Sequence, residues 1–270
     1  MKFRYALLPL IVVVPSLLVA QTNNFELHLA GKPIGKASYS IGPAKNGLKL
    51  TSRYSFHMVG PDGARSESDF LDDFKFDASY KYLDGTIDDK VHLKNRGLLP
   101  NKNFTEMSIS QYSGGSEPTT FITIAPNLMM LPNFDVGAAQ AALLLATTHP
   151  TSDNKYALLV PAPGGGGGSG GGRGRGKAPD AASTGPDAQD AALPGDRSVE
   201  AIWVKGTPFT GTLDGKPLNV NSYMLAVGKF RWLFFADESN NLMQLNVSML
   251  HASYIRENFK LDPPKSVMAR

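Results

Sequence analysis

The chain has 270 residues, of which 42% are hydrophobic and 19% charged, with a formal net charge of +3. This length suits one large β domain or two small domains. The near-neutral charge argues against a dedicated nucleic-acid-binding protein, which usually carries a basic face. Cysteine is absent, which excludes disulfides, a thiol nucleophile and thiolate metal sites.

The first twenty residues have the order of a cleaved export signal. Lys2 and Arg4 precede an apolar stretch, residues 5–19, which ends at Ala20. This order predicts a signal peptide over residues 1–20, and the stretch is short for a membrane span, although an uncleaved anchor stays the alternative. We therefore expect an exported protein, periplasmic or extracellular, with no stable membrane span after cleavage.

Alternating apolar and polar residues dominate the rest of the chain. The clearest case is residues 48–58, where Leu50 and Tyr54 share one face while Lys49 and Arg53 share the other. A period of two is typical of antiparallel strands with one buried face. The same reasoning predicts strands at 25–30, 37–41, 66–76, 79–84, 104–112, 118–125, 156–161, 199–205, 218–227, 229–236 and 241–249.

One helix is predicted over residues 136–147, which are rich in Ala and Leu. Asp135 can cap its start, and Pro150 follows its end. Gln140 is its only strongly polar interior residue, so the helix is apolar nearly all round and should be buried. The predicted fold is therefore mainly β: a curved antiparallel sheet or open half-barrel of about eleven strands around one buried helix.

Residues 164–197 differ in composition from everything around them. Gly, Pro, Ala and Asp dominate this segment, and it contains no aromatic residue, so it cannot bury enough apolar area to become ordered. We predict a disordered insertion that divides one half-barrel domain into residues 21–163 and 198–270. Its few early cations leave two interpretations open, a tether for anionic material and a solvated loop.

Two segments share a turn pattern at the same spacing. Residues 29–34 read LAGKPI and residues 213–218 read LDGKPL, and Ser-Tyr follows each at the same distance. Two hairpins that use the same turn residues explain this pattern. A duplicated half-sheet is the alternative.

The sequence offers no assembled catalytic or metal site. Matches to G-x-S-x-G and G-x-G-x-x-G occur only within the glycine run near Ser169, without the strand and helix that each motif requires. The five histidines are scattered. The acidic cluster over residues 67–77 indicates a solvated strand face, with calcium binding as the alternative, and Asp84, Asp88 and Asp89 around Gly85 indicate a turn. We expect no enzyme activity, no cofactor and no metal site.

The order of elements resembles the exported half-barrel proteins related to the lipoprotein-localisation factors, including uncharacterised periplasmic families. The resemblance covers most of residues 25–258. It is carried by the GKPIG turn at 31–35, by LPNF at 131–134 before the Ala/Leu helix, by YALLVP at 156–161 and by WLFFAD at 232–237. It implies a curved sheet wrapped on a helix, with a cavity for a lipid or acyl chain, and it supplies no catalytic residue.

These observations favour a non-enzymatic protein that holds a lipid or acyl chain in its half-barrel. Methionine and aromatic side chains suit an adaptable apolar cavity. The alternatives are an envelope module that binds an envelope protein without a small ligand, and an outer-membrane β-barrel, which alternation cannot separate from a soluble sheet. The predicted cavity wall consists of Tyr39, Phe56, Met58, Trp232, Phe234, Leu245 and Val247.

Overall fold

The structure is a computed structural model, and it describes residues 22–59, 63–112, 119–132, 135–160 and 198–263. The predicted signal peptide and the predicted Gly-rich insertion lie outside these residues. Both therefore stay predictions.

The described residues form seventeen strands, one α-helix and a short 3-10 helix at Ser248–Leu250. The α-helix is α1 (Val136–Thr148). The strands are β1 (Thr22–Leu29), β2 (Lys32–Ala44), β3 (Gly47–Val59), β4 (Arg65–Phe76), β5 (Tyr82–Asp89), β6 (Lys94–Pro100), β7 (Glu106–Tyr112), β8 (Thr119–Thr123), β9 (Leu128–Met130), β10 (Lys155–Leu159), β11 (Ser198–Lys205), β12 (Phe209–Leu213), β13 (Lys216–Val227), β14 (Phe230–Ala236), β15 (Leu242–Val247), β16 (Ala252–Arg256) and β17 (Phe259–Leu261).

The strands form one long sheet that curves back towards itself. Strands β1 to β8 pair in sequence order, each antiparallel to the next. On its other side β1 pairs with β16, and the sheet continues through β15, β14, β13, β11 and β10 to β9, which is parallel to β10. Strand β9 also packs against β5. This arrangement is an open barrel, and it confirms the predicted mainly β fold.

The concave side of the sheet surrounds α1. Every residue from Val136 to Leu143 is buried, which confirms the predicted buried helix. The helix begins close to β2 and β3, because a Cβ atom added to Gly137 would lie 2.8 Å from Tyr39 Cβ and 2.9 Å from Leu50 Cδ2. The carboxylate of Asp135 accepts hydrogen bonds from the first helical N–H groups, which confirms the predicted cap.

A second, smaller core lies on the convex side. Strand β12 pairs with β13 and with β17, and this small sheet covers outward-facing side chains of β14 and β15. Phe235 and Met243 are buried there with Phe259, and the Phe209 ring meets the Phe235 ring edge-on at 5.5 Å between centroids. One stretch of the barrel wall is therefore two layers thick.

Both repeated turn segments adopt the same hairpin turn. Ala30 and Gly31 have φ of 49° and 77°, and Asp214 and Gly215 have φ of 51° and 74°. Two consecutive positive φ values are typical of a type I′ turn, which favours glycine at its second position. Shared turn chemistry therefore accounts for the repeated residues.

The strand count exceeds the predicted number of about eleven, because several strands lack clear alternation. Strand β6 contains Gly97 and Pro100, which normally indicate a loop, and β16 and β17 are short. The turn predicted at Asp84, Asp88 and Asp89 is wrong, since these residues lie within β5. Gly85 pairs with Phe74 and Leu98 within that strand, and the position requires glycine because a Cβ atom would lie 2.2 Å from the Phe74 ring.

Candidate functional site

Six of the seven predicted cavity-wall residues lie in the main core, and one of them, Phe56, also borders the charged groove on the outer face of β1 to β4. Tyr39, Trp232, Phe234 and Leu245 are at most 4% exposed, and Phe56 and Val247 are 8% exposed. They pack in the same cluster as α1. A guest molecule at this wall would have to displace the helix or the protein's own side chains.

Met58, the seventh residue, is 37% exposed. Strand β2 pairs with β3 only as far as the Gly35–Phe56 pair, whereas β4 continues to pair with β3 out to Val59. The end of the β3–β4 hairpin therefore extends beyond its β2 neighbour, and the Met58 side chain leaves the core. The structure does not bring Met58 together with the other six.

Gln140 fixes α1 inside the barrel through three hydrogen bonds. Its Oε1 accepts from the Tyr39 hydroxyl at 2.7 Å and from the Leu242 backbone N–H at 2.6 Å, and its Nε2 donates to the Asn240 carbonyl at 2.8 Å. The side chain is 2% exposed. Gln140, the one strongly polar residue in the interior of the predicted helix, thus joins it to β2, to the β14–β15 connection and to the start of β15.

Two buried aspartates meet at the start of α1. Asp135 Oδ1 accepts from the N–H groups of Gly137 at 2.7 Å and Ala138 at 2.9 Å, while Asp72 Oδ2 accepts from the Tyr54 hydroxyl at 3.3 Å. The two carboxyl groups interact with each other, and among the described residues Asp72 Oδ1 and Asp135 Oδ2 have no other hydrogen-bond partner. Because both are at most 1% exposed, their contacts with solvent are negligible and the pair serves the packing of α1.

The surroundings of the two carboxyl groups affect their pKa values differently. Burial raises the pKa of Asp72 well above its usual range, and the neighbouring Asp135 charge raises it further. Burial also raises the pKa of Asp135, but hydrogen bonds from Asp72, Ser52 and the helix N–H groups oppose that rise. Asp72 is therefore the member of the pair that holds a proton to higher pH, and in that form it can donate to Asp135, since two adjacent buried carboxylates cannot both ionise easily.

The convex face of β1 to β4 carries a charged groove of about 670 Å³. One ion pair lies within its lining: Arg53 binds Asp69 through two hydrogen bonds, of 2.9 and 3.2 Å. Nearby on the same face, Lys49 lies 3.1 Å from Asp73. In the described part of the chain, no three His, Cys, Asp or Glu side chains come close enough to hold a metal ion. On the acidic strand β4, Asp69 and Asp73 thus form ion pairs on the outer face, whereas Asp72 is buried on the inner face.

An apolar cleft of about 530 Å³ lies at one end of the barrel. It forms where the start of β5, the β6–β7 loop and the β8–β9 connection meet. We call it the Phe104 cleft. Its apolar lining consists of Tyr82, Leu83, Phe104, Ile124, Ala125, Pro126 and Leu128, and its polar lining of Asp77, Lys81, Asn103 and Thr105.

The aromatic ring that gives the cleft its name is held out of the core. Phe104 is 47% exposed and has a positive φ of 54°, which is unusual for a bulky residue. Its N–H donates to the Asn101 carbonyl at 3.0 Å, and Asn101 Oδ1 accepts from the Thr105 N–H at 3.0 Å. Phe104 therefore has a strained backbone conformation, and its ring is half-exposed at the cleft. Strained residues are frequent at sites that contact ligands.

The floor of the Phe104 cleft is continuous with the core. Tyr82 and Leu128 are each 6% exposed, and the Tyr82 hydroxyl donates to the Leu98 carbonyl at 2.9 Å. The Tyr82 ring also contacts the rings of Phe74 and Phe76 edge-on. The cleft thus combines a fixed apolar floor with an exposed aromatic rim.

Sequence reasoning missed this cleft because most of its residues lie outside periodic segments. The predicted strand 104–112 places Phe104 within a strand, whereas β7 begins at Glu106. The available signal was the pair Asn101 and Asn103 directly before Phe104, since asparagine favours turns. Pro126 and Leu128 line the cleft only because β9 packs against β5, and that tertiary contact has no signal in the local sequence.

Comparisons with known proteins add evidence on the fold alone. The sequence matches no protein-family model and no curated protein. Its structure is similar to the crystal structure of a β-barrel-like protein of the domain of unknown function DUF1849 from Brucella abortus, with a TM-score of 0.51 and 11% identity over 91% of this chain and 99% of that one. No helix in the described ranges is long and apolar enough to cross a bilayer.

Proposed function

We propose that this protein is an exported, non-enzymatic binding protein that holds an apolar chain, such as a lipid or acyl chain, in the Phe104 cleft. The observation that carries the proposal is the strained, half-exposed Phe104 ring over an apolar floor. The cleft volume of about 530 Å³ lies within the range of small-molecule sites. The resemblance to lipoprotein-localisation factors supports the same ligand class.

The Phe104 cleft suits this role better than the concave side of the sheet. Six of the predicted wall residues there are packed in the same core as α1, and Gln140 holds that helix through buried hydrogen bonds to Tyr39, Leu242 and Asn240. Opening the barrel would expose several polar groups that now have partners, and each would cost about 1–3 kcal/mol while unsatisfied. The Phe104 cleft needs no such rearrangement.

Burial of apolar surface supplies the binding energy. Each buried methylene contributes about 0.8 kcal/mol, so a segment of about ten methylenes contributes roughly 8 kcal/mol before ordering costs, which corresponds to micromolar affinity at best. The polar lining is limited to side chains such as Lys81 and Asn103 at the cleft. Affinity should therefore follow chain length more than head-group chemistry.

A fluorescent fatty acid titrated into delipidated protein tests the proposal. Phe104→Ser removes the exposed ring and should weaken binding about tenfold, since such a loss corresponds to about 1.4 kcal/mol. Tyr112→Ser is the matched control, because Tyr112 is 44% exposed and does not line the cleft. Absence of binding to the wild-type protein at micromolar ligand, or equal losses in both variants, would disprove the proposal.

The export part of the proposal depends on the first twenty residues. N-terminal sequencing of the protein from cells that express the full chain should find a start at Gln21. A mature protein that retains Met1 would contradict export by a cleaved signal, and it would leave the ligand-binding test unaffected.

A further inference from the structure

The paired strands of the sheet run from β8 (Thr119–Thr123) at one end to β9 at the other end. Among the described residues the registered pairs of β8 are all with β7. We propose that two copies of this protein associate through this edge, by antiparallel pairing of β8 with β8 of a second copy. The proposal is independent of the Phe104 cleft and of its ligand.

The pairing with β7 determines which backbone groups face the open edge. The Ile124 N–H donates to the Thr105 carbonyl at 2.9 Å, in register with the β7–β8 pairs. Hydrogen-bonded pairs alternate along an antiparallel ladder, so Ile122 and Thr120 direct their backbone groups towards β7. Thr119, Phe121 and Thr123 therefore direct their N–H and C=O groups away from β7, towards the edge.

These three residues form a self-complementary edge. If β8 pairs with its copy about a two-fold axis at Phe121, then Phe121 lies opposite Phe121, and Thr119 lies opposite Thr123. Each outward N–H then meets an outward C=O of the second copy. An interface that pairs the same strand on both subunits is the isologous contact that closes a two-fold dimer.

The side chains of β8 favour this contact and do nothing to prevent it. The strand TTFIT contains no charged residue and no proline, the features with which proteins usually protect an exposed edge. Phe121 is 64% exposed, and in the dimer the two Phe121 rings become cross-strand neighbours. Aromatic and Thr–Thr pairs across strands are each favourable by about 0.2–1 kcal/mol.

The length of β8 sets the expected strength of the dimer. Five paired residues on each side give an interface at the small end of protein–protein contacts, where association is weak and transient. The dimer should therefore form and dissociate with protein concentration. A suitable assay therefore traps the two copies covalently in the proposed arrangement and does not require a tight complex.

Cysteine cross-linking provides that test, because the chain contains no cysteine. Phe121→Cys places the two thiols on directly opposed residues, about 5.5 Å apart between Cα atoms. Leu99→Cys is the control: Leu99 is 53% exposed and lies two strands from the edge, which separates the two copies of it by roughly 24 Å in the dimer. A short bismaleimide should join the Phe121→Cys protein into dimers and leave the Leu99→Cys protein monomeric.

Sedimentation velocity of the full-length protein tests the same proposal without a cross-linker. Phe121→Lys places two like charges opposite each other and should lower the association constant about tenfold, whereas Leu99→Lys should leave it unchanged. If Phe121→Cys does not fold, the double variant Thr119→Cys/Thr123→Cys replaces it, since these residues also oppose each other. Equal cross-linking at positions 121 and 99, or no cross-linking of any edge variant, overturns the proposal.

Discussion

The buried pair Asp72–Asp135 makes the stability of this protein depend on pH in a direction opposite to that of most carboxylates. The pKa of Asp72 is raised well above its usual range in the folded state, whereas an unfolded aspartate has a pKa of about 3.9. The stabilising contribution of the protonated group is therefore fully present below about pH 4 and is lost as the pH rises towards the folded pKa.

The magnitude follows from proton linkage. While Asp72 stays protonated in the fold and ionised in the unfolded chain, the free energy of unfolding falls by about 1.4 kcal/mol for each pH unit. Asp72→Asn should remove this dependence, because the amide is neutral in both states, can donate to Asp135 and can accept from the Tyr54 hydroxyl.

Urea unfolding at several pH values between 5 and 8 measures the effect. The free energy of unfolding of Asp72→Asn relative to wild type should rise steadily with pH. Asp73→Asn is the matched control: Asp73 is the next residue on the strand, its side chain is 38% exposed, and it pairs with Lys49 on the outer face. Parallel pH profiles for wild type and Asp72→Asn would refute a shared proton at this pair.

Three further predictions concern α1 and the floor of the Phe104 cleft, each measured by urea unfolding. Gln140→Leu should destabilise the fold by roughly 2–5 kcal/mol, because two buried donors, the Tyr39 hydroxyl and the Leu242 N–H, lose their shared acceptor. An unchanged urea midpoint of unfolding would contradict the role of Gln140. Gly137→Ala should cost about 1–3 kcal/mol, since the added methyl overlaps the side chains of β2 and β3, and a gain in stability would disprove that close packing. Tyr82→Phe should cost about 1 kcal/mol by losing one hydrogen bond and keep fatty-acid binding, so a loss of binding with unchanged stability would assign the hydroxyl to the ligand instead.

The parts of the fold that the sequence predicts are those with strong local signals. Strand β3 alternates without interruption over its buried part, and α1 has both a capping residue and an interior of Ala and Leu broken by the single polar residue Gln140. These signals are local, so they can be recognised without knowledge of the tertiary contacts. Strand β6 has no such signal, because its pairing with β5 and β7, rather than its own pattern, makes it a strand.

The candidate site was harder to predict because it depends on contacts between distant segments. The predicted cavity wall identifies buried aromatic residues correctly as buried, but period-two alternation cannot tell a core filled by a helix from a core that is hollow. Asp72 stands in an acidic run with Asp69 and Asp73, but it shares the buried face of β4 with Phe70 and Phe74. Burial is the main cause of its raised pKa, and the charge of Asp135, which only the fold brings near, adds to it.

The arrangement of α1 bears directly on how such a barrel can hold a ligand. A barrel that opened to admit a chain would have to release α1. Gln140 attaches that helix to β2 through Tyr39 and to β15 through Leu242, and Asp135 at the start of the helix interacts with Asp72 of β4. Loosening one leaves the other in place, so partial opening brings the cost of unsatisfied polar groups without creating a continuous cavity. An apolar ligand is therefore better accommodated where the chain already exposes apolar surface on a rigid support, and the Phe104 cleft meets that condition because its floor is core and its rim is a strained loop.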